Sequence, residues 1–212
     1  MTAPARAVRF TAREQAELAE AEPDASPLAR DEVAGHTLAT LISRGTELAS
    51  YQEHGKYYGA PKYPHGSGYA AVFEVDAVGD DVENVRPGDV VFAMKGHLSH
   101  QRCKADDVLV VPEGPSPQAA TCARIMGISM TTLTTTTARP PATVLVTGLG
   151  LVGNLAAQVF ALCGYEVIAV DPLDSRRELA QRAGLKDVRA AVPLDGCKAV
   201  RKLGEVVLVG GP

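Results

Sequence analysis

The stretch "TVLVTGLGLVGNLAAQVFALCGYEVIAVD", residues 143–171, holds an apolar run, a turn with three glycines, a run of helical period and a second apolar run ending in a carboxylate. Its opening, "TVLVTG", has the composition of a buried strand. The following "LVGNLAAQVFALCG" sets Val152, Leu155, Ala156, Val159 and Phe160 on one stripe, and Gly164 stands where helices commonly stop. "EVIAVD" then "DSRRELAQRAG" repeat the rhythm, and this alternation predicts a parallel sheet covered by helices. Gly148, Gly150 and Gly153 form a GxGxxG pattern between strand and helix. Gly148 permits the tight turn, Gly150 lets the backbone approach a pyrophosphate with no Cβ in the way, and Gly153 lets helix and strand pack closely.

Such a turn aims unpaired N–H groups, those of Leu149, Leu151 and Val152 among them, and the positive end of a helix at an anion. It reads as a dinucleotide cradle. Asp171 ends the next strand near the expected offset of about 20 residues, where a carboxylate accepts from ribose hydroxyls and repels a 2′-phosphate. NAD is therefore expected over NADP, with Arg176 and Arg177 close enough to soften the preference if they turn inward. The fingerprint alone leaves FAD open, as it does a turn whose glycines serve only packing.

Upstream, residues 6 to about 115 read as short strands between turns: "RAVRF", "HTLATLIS", "YAAVFEVDAVG", "DVVFA" and "DVLVVP". In "AVFEVDAV" partial alternation predicts a strand with one wet face. "SPQAATCARIMGISMTTL" has helical spacing after a Ser-Pro start and predicts one connecting helix. The low-bulk "TTTTARPPA" then sets a boundary near Ala138, giving a β-rich unit over 1–138 and an α/β unit over 139–212.

With 212 residues, 46% hydrophobic, the chain can bury a sizeable core. A net charge of −4 without a basic stripe argues against nucleic acid and anionic membranes as partners. "MTAPARAVRF" lacks the apolar core of a signal peptide and no run approaches a membrane span, so the cytoplasm is expected. Cys103, Cys122, Cys163 and Cys197 are scattered and read as separate reduced thiols. His97 and His100, in "GHLSHQ", read as a surface loop rather than a metal site.

Three stretches together resemble the medium-chain dehydrogenase/reductase family, relatives of zinc alcohol dehydrogenases with a GroES-like catalytic unit ahead of a Rossmann domain. They are "ISRGTEL" against the family's "GTDL" region, "GYAAVFEVDAVGDDVENVRPGDVV" against "GHEGVGEVVEVG…V…PGDRV", and the glycine fingerprint downstream. The resemblance covers nearly the whole chain. It implies an α/β fold with a doubly wound parallel sheet in the second unit, an oxidoreductase activity and a small-molecule substrate in an interdomain cleft. It also leaves a homodimer open, since relatives often pair through a sixth Rossmann strand that this sequence lacks.

The departures fall where zinc enzymes hold their metal. Arg44 stands at the first cysteine ligand, Tyr69 at the histidine, Ala70 at the glutamate and Arg124 at the third ligand position. Arginine stays protonated and offers only donors, so it repels a dication that a thiolate would bind. "AMKGHLSHQRCKADDV" has one cysteine where a structural zinc needs four. No metal is expected, and the closer likeness is to zinc-free members with an "IS.GTE" signature, which include bacteriochlorophyllide-type hydroxyethyl dehydrogenases.

Tyr69, Thr46, Arg44 and Arg124 are then the candidates to stabilise the substrate oxygen. Thr46 matches the family's proton-relay hydroxyl and Tyr69 could donate the proton, a role worth about 10²- to 10⁴-fold. The alternatives are that the two arginines fill the old metal cavity by pairing with Glu47 or Glu74, that Thr46 is a strand-end hydroxyl, and that Tyr69 packs against apolar neighbours. Tyr63 and His65 could rim the cleft or form a plain loop.

After "GLKDVRAAVPLDG", a third Rossmann strand and its exit, "CKAVRKLGEVVLVGGP" resembles a later helix end and strand, which suggests segments missing from a longer polypeptide. In relatives the equivalent of "VLVGGP" nears the nicotinamide, making Gly210 and Gly211 cofactor candidates. The leading expectation is a zinc-independent oxidoreductase moving a hydride between NAD(H) and an alcohol or carbonyl. An NADPH-dependent quinone or enoyl reductase, and a noncatalytic dinucleotide-binding scaffold, remain as alternatives.

Overall fold

The structure, a computed structural model of the chain, describes residues 4–21, 26–53 and 62–191. Gly210, Gly211 and Cys197 lie outside the described residues. Contacts divide the chain into two units, Met1–Ala123 and Arg124–Pro212, ahead of the boundary expected near Ala138.

The first unit runs β1 (Arg6–Ala12), β2 (Gln15–Glu20), β3 (Glu32–Thr40), α1 (Arg44–Tyr51), β4 (His65–Gly66), β5 (Ala71–Val78), β6 (Val90–Ala93), β7 (His100–Lys104), β8 (Val108–Val110) and α2 (Pro117–Thr121). Its strands pair antiparallel in two sheets, β7-β3-β5-β6-β8 and β2-β1-β4. Val33, Phe73, Val75, Val91 and Cys103 pack in one cluster, and Ala70, Val72 and Phe92 in another with Leu41, Val111 and Ala120.

The wet face expected along β5 is confined to its end. Ala71, Val72, Phe73 and Val75 are buried and only Asp76 and Ala77 are exposed, because α2, through Ala120, covers the side that alternation left to water. Where β3 shifts register between Ala34 and Gly35, a Cβ on Gly35 would stand 1.9 Å from the Glu74 carbonyl oxygen, so the strands approach only because glycine is there.

The expected single connecting helix is two. Ser116 caps α2, its Oγ accepting from the Ala119 N–H, and Pro117 occupies the first helical position, where its missing N–H costs nothing. A second helix, α3 (Ala123–Thr135), follows beyond Cys122. The Thr131, Thr132, Thr134 and Thr135 hydroxyls donate to carbonyls one turn back, which satisfies them inside a helix of otherwise modest propensity.

The second unit continues with β9 (Thr143–Thr147), α4 (Leu151–Leu162), β10 (Glu166–Val170), α5 (Asp174–Arg182) and β11 (Asp187–Arg189). The three strands form a parallel sheet in the order β11-β10-β9, matching the predicted rhythm. Leu149, Ala157, Ala169, Ala180 and Leu185 form its core with Val146, Val167 and Val188. Helix α4 buries Ala156, Ala157, Val159 and Phe160, and Gly164, with φ +84°, follows it. Ser129 Oγ donates to the Val152 carbonyl at 2.9 Å and ties α3 to α4. No described helix is long and apolar enough to cross a membrane.

Candidate functional site

The glycine turn closes the second unit's first strand. Gly148 adopts φ +85°, a conformation that favours glycine, and its N–H donates to the Val170 carbonyl at 2.7 Å. Gly150 caps α4. A Cβ on Gly153 would fall 1.8 Å from the Gly148 carbonyl oxygen, whereas Cβ atoms on Gly148 or Gly150 would meet nothing within 4 Å. Packing forbids a side chain at one glycine, and open space adjoins the other two. The first turn of α4 carries no acidic residue, so its orphan N–H groups, those of Leu151 and Val152 included, face room for a pyrophosphate. The turn fits a dinucleotide.

Leu149 and Asp171 behave differently from the expectation. Leu149 is buried in the core, and its N–H donates at 2.7 Å to Asp171 Oδ2 rather than standing free for phosphate. Asp171 Oδ1 accepts from the Leu173 N–H at 2.9 Å, and Arg176 Nη1 reaches Oδ2 at 3.2 Å. The side chain is 1% exposed, because the chain beyond β10 turns back over it. Burial pushes this carboxyl up, but the two backbone donors and Arg176 outweigh burial and hold it below the usual carboxylate range. Arg177 donates to the Asp171 carbonyl at 2.7 Å and pairs with Asp174.

In the first unit, Tyr69 precedes β5 and is half-buried. Its hydroxyl donates to Ser43 Oγ and lies 3.5 Å from Thr46 Oγ1. Thr46 is exposed in the first turn of α1, so the strand-end reading gives way to a helical one. Arg44 begins α1, exposed, with no ion pair among the described residues. Arg124 is half-buried and belongs to the second unit.

Glu47 faces inward, so the alternative in which it pairs with Arg44 does not form. Its carboxylate accepts from Ser43 N–H at 2.7 Å on Oε1, and from Ser67 Oγ at 2.5 Å and His97 Nε2 at 2.9 Å on Oε2. Burial pushes the carboxyl up, yet the bonds from His97, Ser67 and Ser43 prevail and keep it below its ordinary value. Glu74 has His36 Nε2 at 4.0 Å.

His97 is the residue of the candidate site that sequence reasoning missed. It is buried, not in a surface loop, with Nδ1 2.8 Å from Thr40 Oγ1. The signal that could have found it is a pair of glycines: a Cβ on Gly68, at φ +87°, would meet the ring at 2.8 Å, and one on Gly96 would meet the Ser67 carbonyl oxygen at 2.7 Å. His100 is exposed, as expected, but opens β7 instead of lying in a loop. His65 lies in β4 and stacks on Tyr63 at 5.4 Å, so this pair is a packed aromatic contact and not a plain loop.

An antiparallel GroES-like unit followed by a parallel sheet with a glycine turn defines an α/β fold of the medium-chain dehydrogenase/reductase type. The chain resembles galactitol-1-phosphate dehydrogenase from Escherichia coli, with TM-score 0.74 and 18% identity over 91% of this chain and 63% of that one. It is similar to Escherichia coli quinone oxidoreductase complexed with NADPH, with TM-score 0.70 and 21% identity over 87% of this chain and 58% of that one. It also resembles 2R,3R-butanediol dehydrogenase from Bacillus subtilis, with TM-score 0.76 and 15% identity over 92% of this chain and 66% of that one. The chain thus spans about three-fifths of the length of the first two. No protein-family model and no curated protein matches the sequence.

Proposed function

We propose that this chain serves a zinc-independent oxidoreductase that moves a hydride between NAD(H) and an alcohol or carbonyl substrate. The observation that carries the reading is the glycine turn, close-packed at Gly153 and open at Gly148 and Gly150. The turn shaped by Gly148 would hold the pyrophosphate by the N–H groups of Gly150, Leu151, Val152 and Gly153. When bound, the nicotinamide supplies or accepts the hydride.

NAD is favoured over NADP by charge. Asp171 is held ionised by its donors, and Arg176 and Arg177 are both engaged with acidic groups, which opposes a 2′-phosphate at the end of β10. One observation favours an NADPH-dependent quinone or enoyl reductase instead: the Arg176 side chain is 40% exposed and could turn to a phosphate.

The substrate's proton is assigned to Tyr69. Its hydroxyl is an O–H donor resting on Ser43 Oγ, with Thr46 Oγ1 beside it. In carbonyl reduction the substrate oxygen takes this proton as hydride reaches the carbon, and solvent restores the phenol. Arg44 stabilises the developing alkoxide by charge. The zinc-free reading is supported by the chemistry of Arg44, a donor only, at the position where the resemblance puts a thiolate ligand. Titrating the protein with NADH and with NADPH, following nicotinamide fluorescence, tests the reading. Tighter binding of NADH supports it, and binding of neither overturns it.

A further inference from the structure

Tyr69 and the hydroxyl it rests on come from different parts of the chain. Ser43 caps α1, and Tyr69 follows the loop through Ser67 and Gly68. A phenol on one loop and its acceptor on another keep a fixed geometry only if the two loops are joined. The join is Glu47: one carboxylate oxygen takes the Ser43 N–H at 2.7 Å, and the other takes the Ser67 hydroxyl at 2.5 Å. Ser67 lies two residues before Tyr69, so the bonds close a ring that runs from the phenol to Ser43, through Glu47 to Ser67, and back along the backbone to Tyr69.

Glu47 is in turn held by His97, whose Nε2 stands 2.9 Å from Oε2. Both side chains are buried, at 7% and 9% exposure, so this charge-assisted contact is shielded from water. The His97 N–H donates to the Ser67 carbonyl at 2.8 Å, and Thr40 Oγ1 fixes the other ring nitrogen. Gly68 and Gly96 leave the space the ring fills. A histidine needed only for packing would not require a buried carboxylate, a hydroxyl and two side-chain-free neighbours around one ring.

We propose that His97 and Glu47 are positioning residues: together they clamp the Ser43 turn to the Ser67–Tyr69 loop and so aim the Tyr69 hydroxyl. The inference rests on the reading of Tyr69 as proton donor and deepens it. The clamp acts through Ser43 and Ser67, and neither His97 nor Glu47 needs to touch substrate.

The test is nitration of the intact chain by tetranitromethane, located by mass spectrometry, with Tyr165 of the second unit as internal reference. His97→Phe keeps the ring's bulk but removes both ring bonds, and Glu47→Ala removes the join. Each is expected to raise the nitration rate of Tyr69 about fivefold or more, the scale of one lost hydrogen bond, with Tyr165 unchanged. Glu47→Gln can still accept from the Ser43 N–H but turns an amide NH2 toward Ser67 and His97, and its Tyr69 rate is expected to fall between wild type and Glu47→Ala. If Tyr69 reacts at the wild-type rate in the first two variants while their melting temperatures fall, the pair is ordinary core and the proposal is wrong. Should those variants not fold, Ser67→Ala carries the same test with the same two outcomes. Nitration needs no nucleotide, so failure of NADH and NADPH to bind would remove the cofactor reading and leave the clamp standing.

Discussion

A methyl group on Gly153 would stand 1.8 Å from the carbonyl oxygen of Gly148, so the first and last glycines of the turn are in direct backbone contact. The contact seats α4 on β9 and shapes the space beside Gly150. Gly153→Ala must push helix and turn apart. The expected result is a loss of about 1–3 kcal/mol of stability, the scale of an overpacked core, seen as a lower urea midpoint, together with weakened NADH binding in the fluorescence titration. Wild-type values for both would show that the turn is looser than described.

Asp171→Asn replaces an acceptor of three donors with a group that must aim its own N–H at one of them. The expected cost is about 1–3 kcal/mol, that of a mismatched buried polar group. On the proposed reading, in which the carboxylate opposes a 2′-phosphate, the ratio of NADPH to NADH affinity should rise in the variant. An unchanged ratio, measured by paired titrations, would remove Asp171 from cofactor choice.

Asp171 and Glu47 both titrate below their ordinary ranges in the folded protein. Their stabilisation is therefore fully present above the unfolded carboxyl values of about pH 4 and is lost as the pH falls through the lower folded values. Urea midpoints measured at falling pH should drop through this window for wild type, and the drop should be smaller for the Asp171→Asn, Glu47→Gln double variant. Parallel pH curves for the two proteins would contradict the assigned bonds.

Tyr69→Phe keeps the ring and removes the hydroxyl. With NADH and any carbonyl compound that the wild-type protein turns over, the rate should fall by about 10²- to 10⁴-fold, the usual worth of a general acid, while NADH affinity stays constant. Equal turnover in the variant would assign proton transfer elsewhere, with Thr46 the next residue to change.

The glycine turn was legible because its geometry is local. Gly148, Gly150 and Gly153 lie within six residues, and the helical stripe beside them places them unaided. The expectation for Asp171 was half legible. Its position at the end of β10 follows from sequence spacing, but its enclosure depends on the chain folding back at Leu173. Helix α1 was hidden by its eight-residue length and by Gly45, which gave "ISRGTEL" no helical periodicity to read.

The sequence by itself determined the alternation of strand and helix after residue 143 and the glycine turn, because residue type and short spacing suffice for these. Only the tertiary structure decided that His97 meets Glu47 across fifty positions of chain and that Glu47 joins Ser43 to Ser67. Such bonds depend on how β3, α1 and the loops around them pack, and a buried carboxylate takes whichever donors that packing brings within reach.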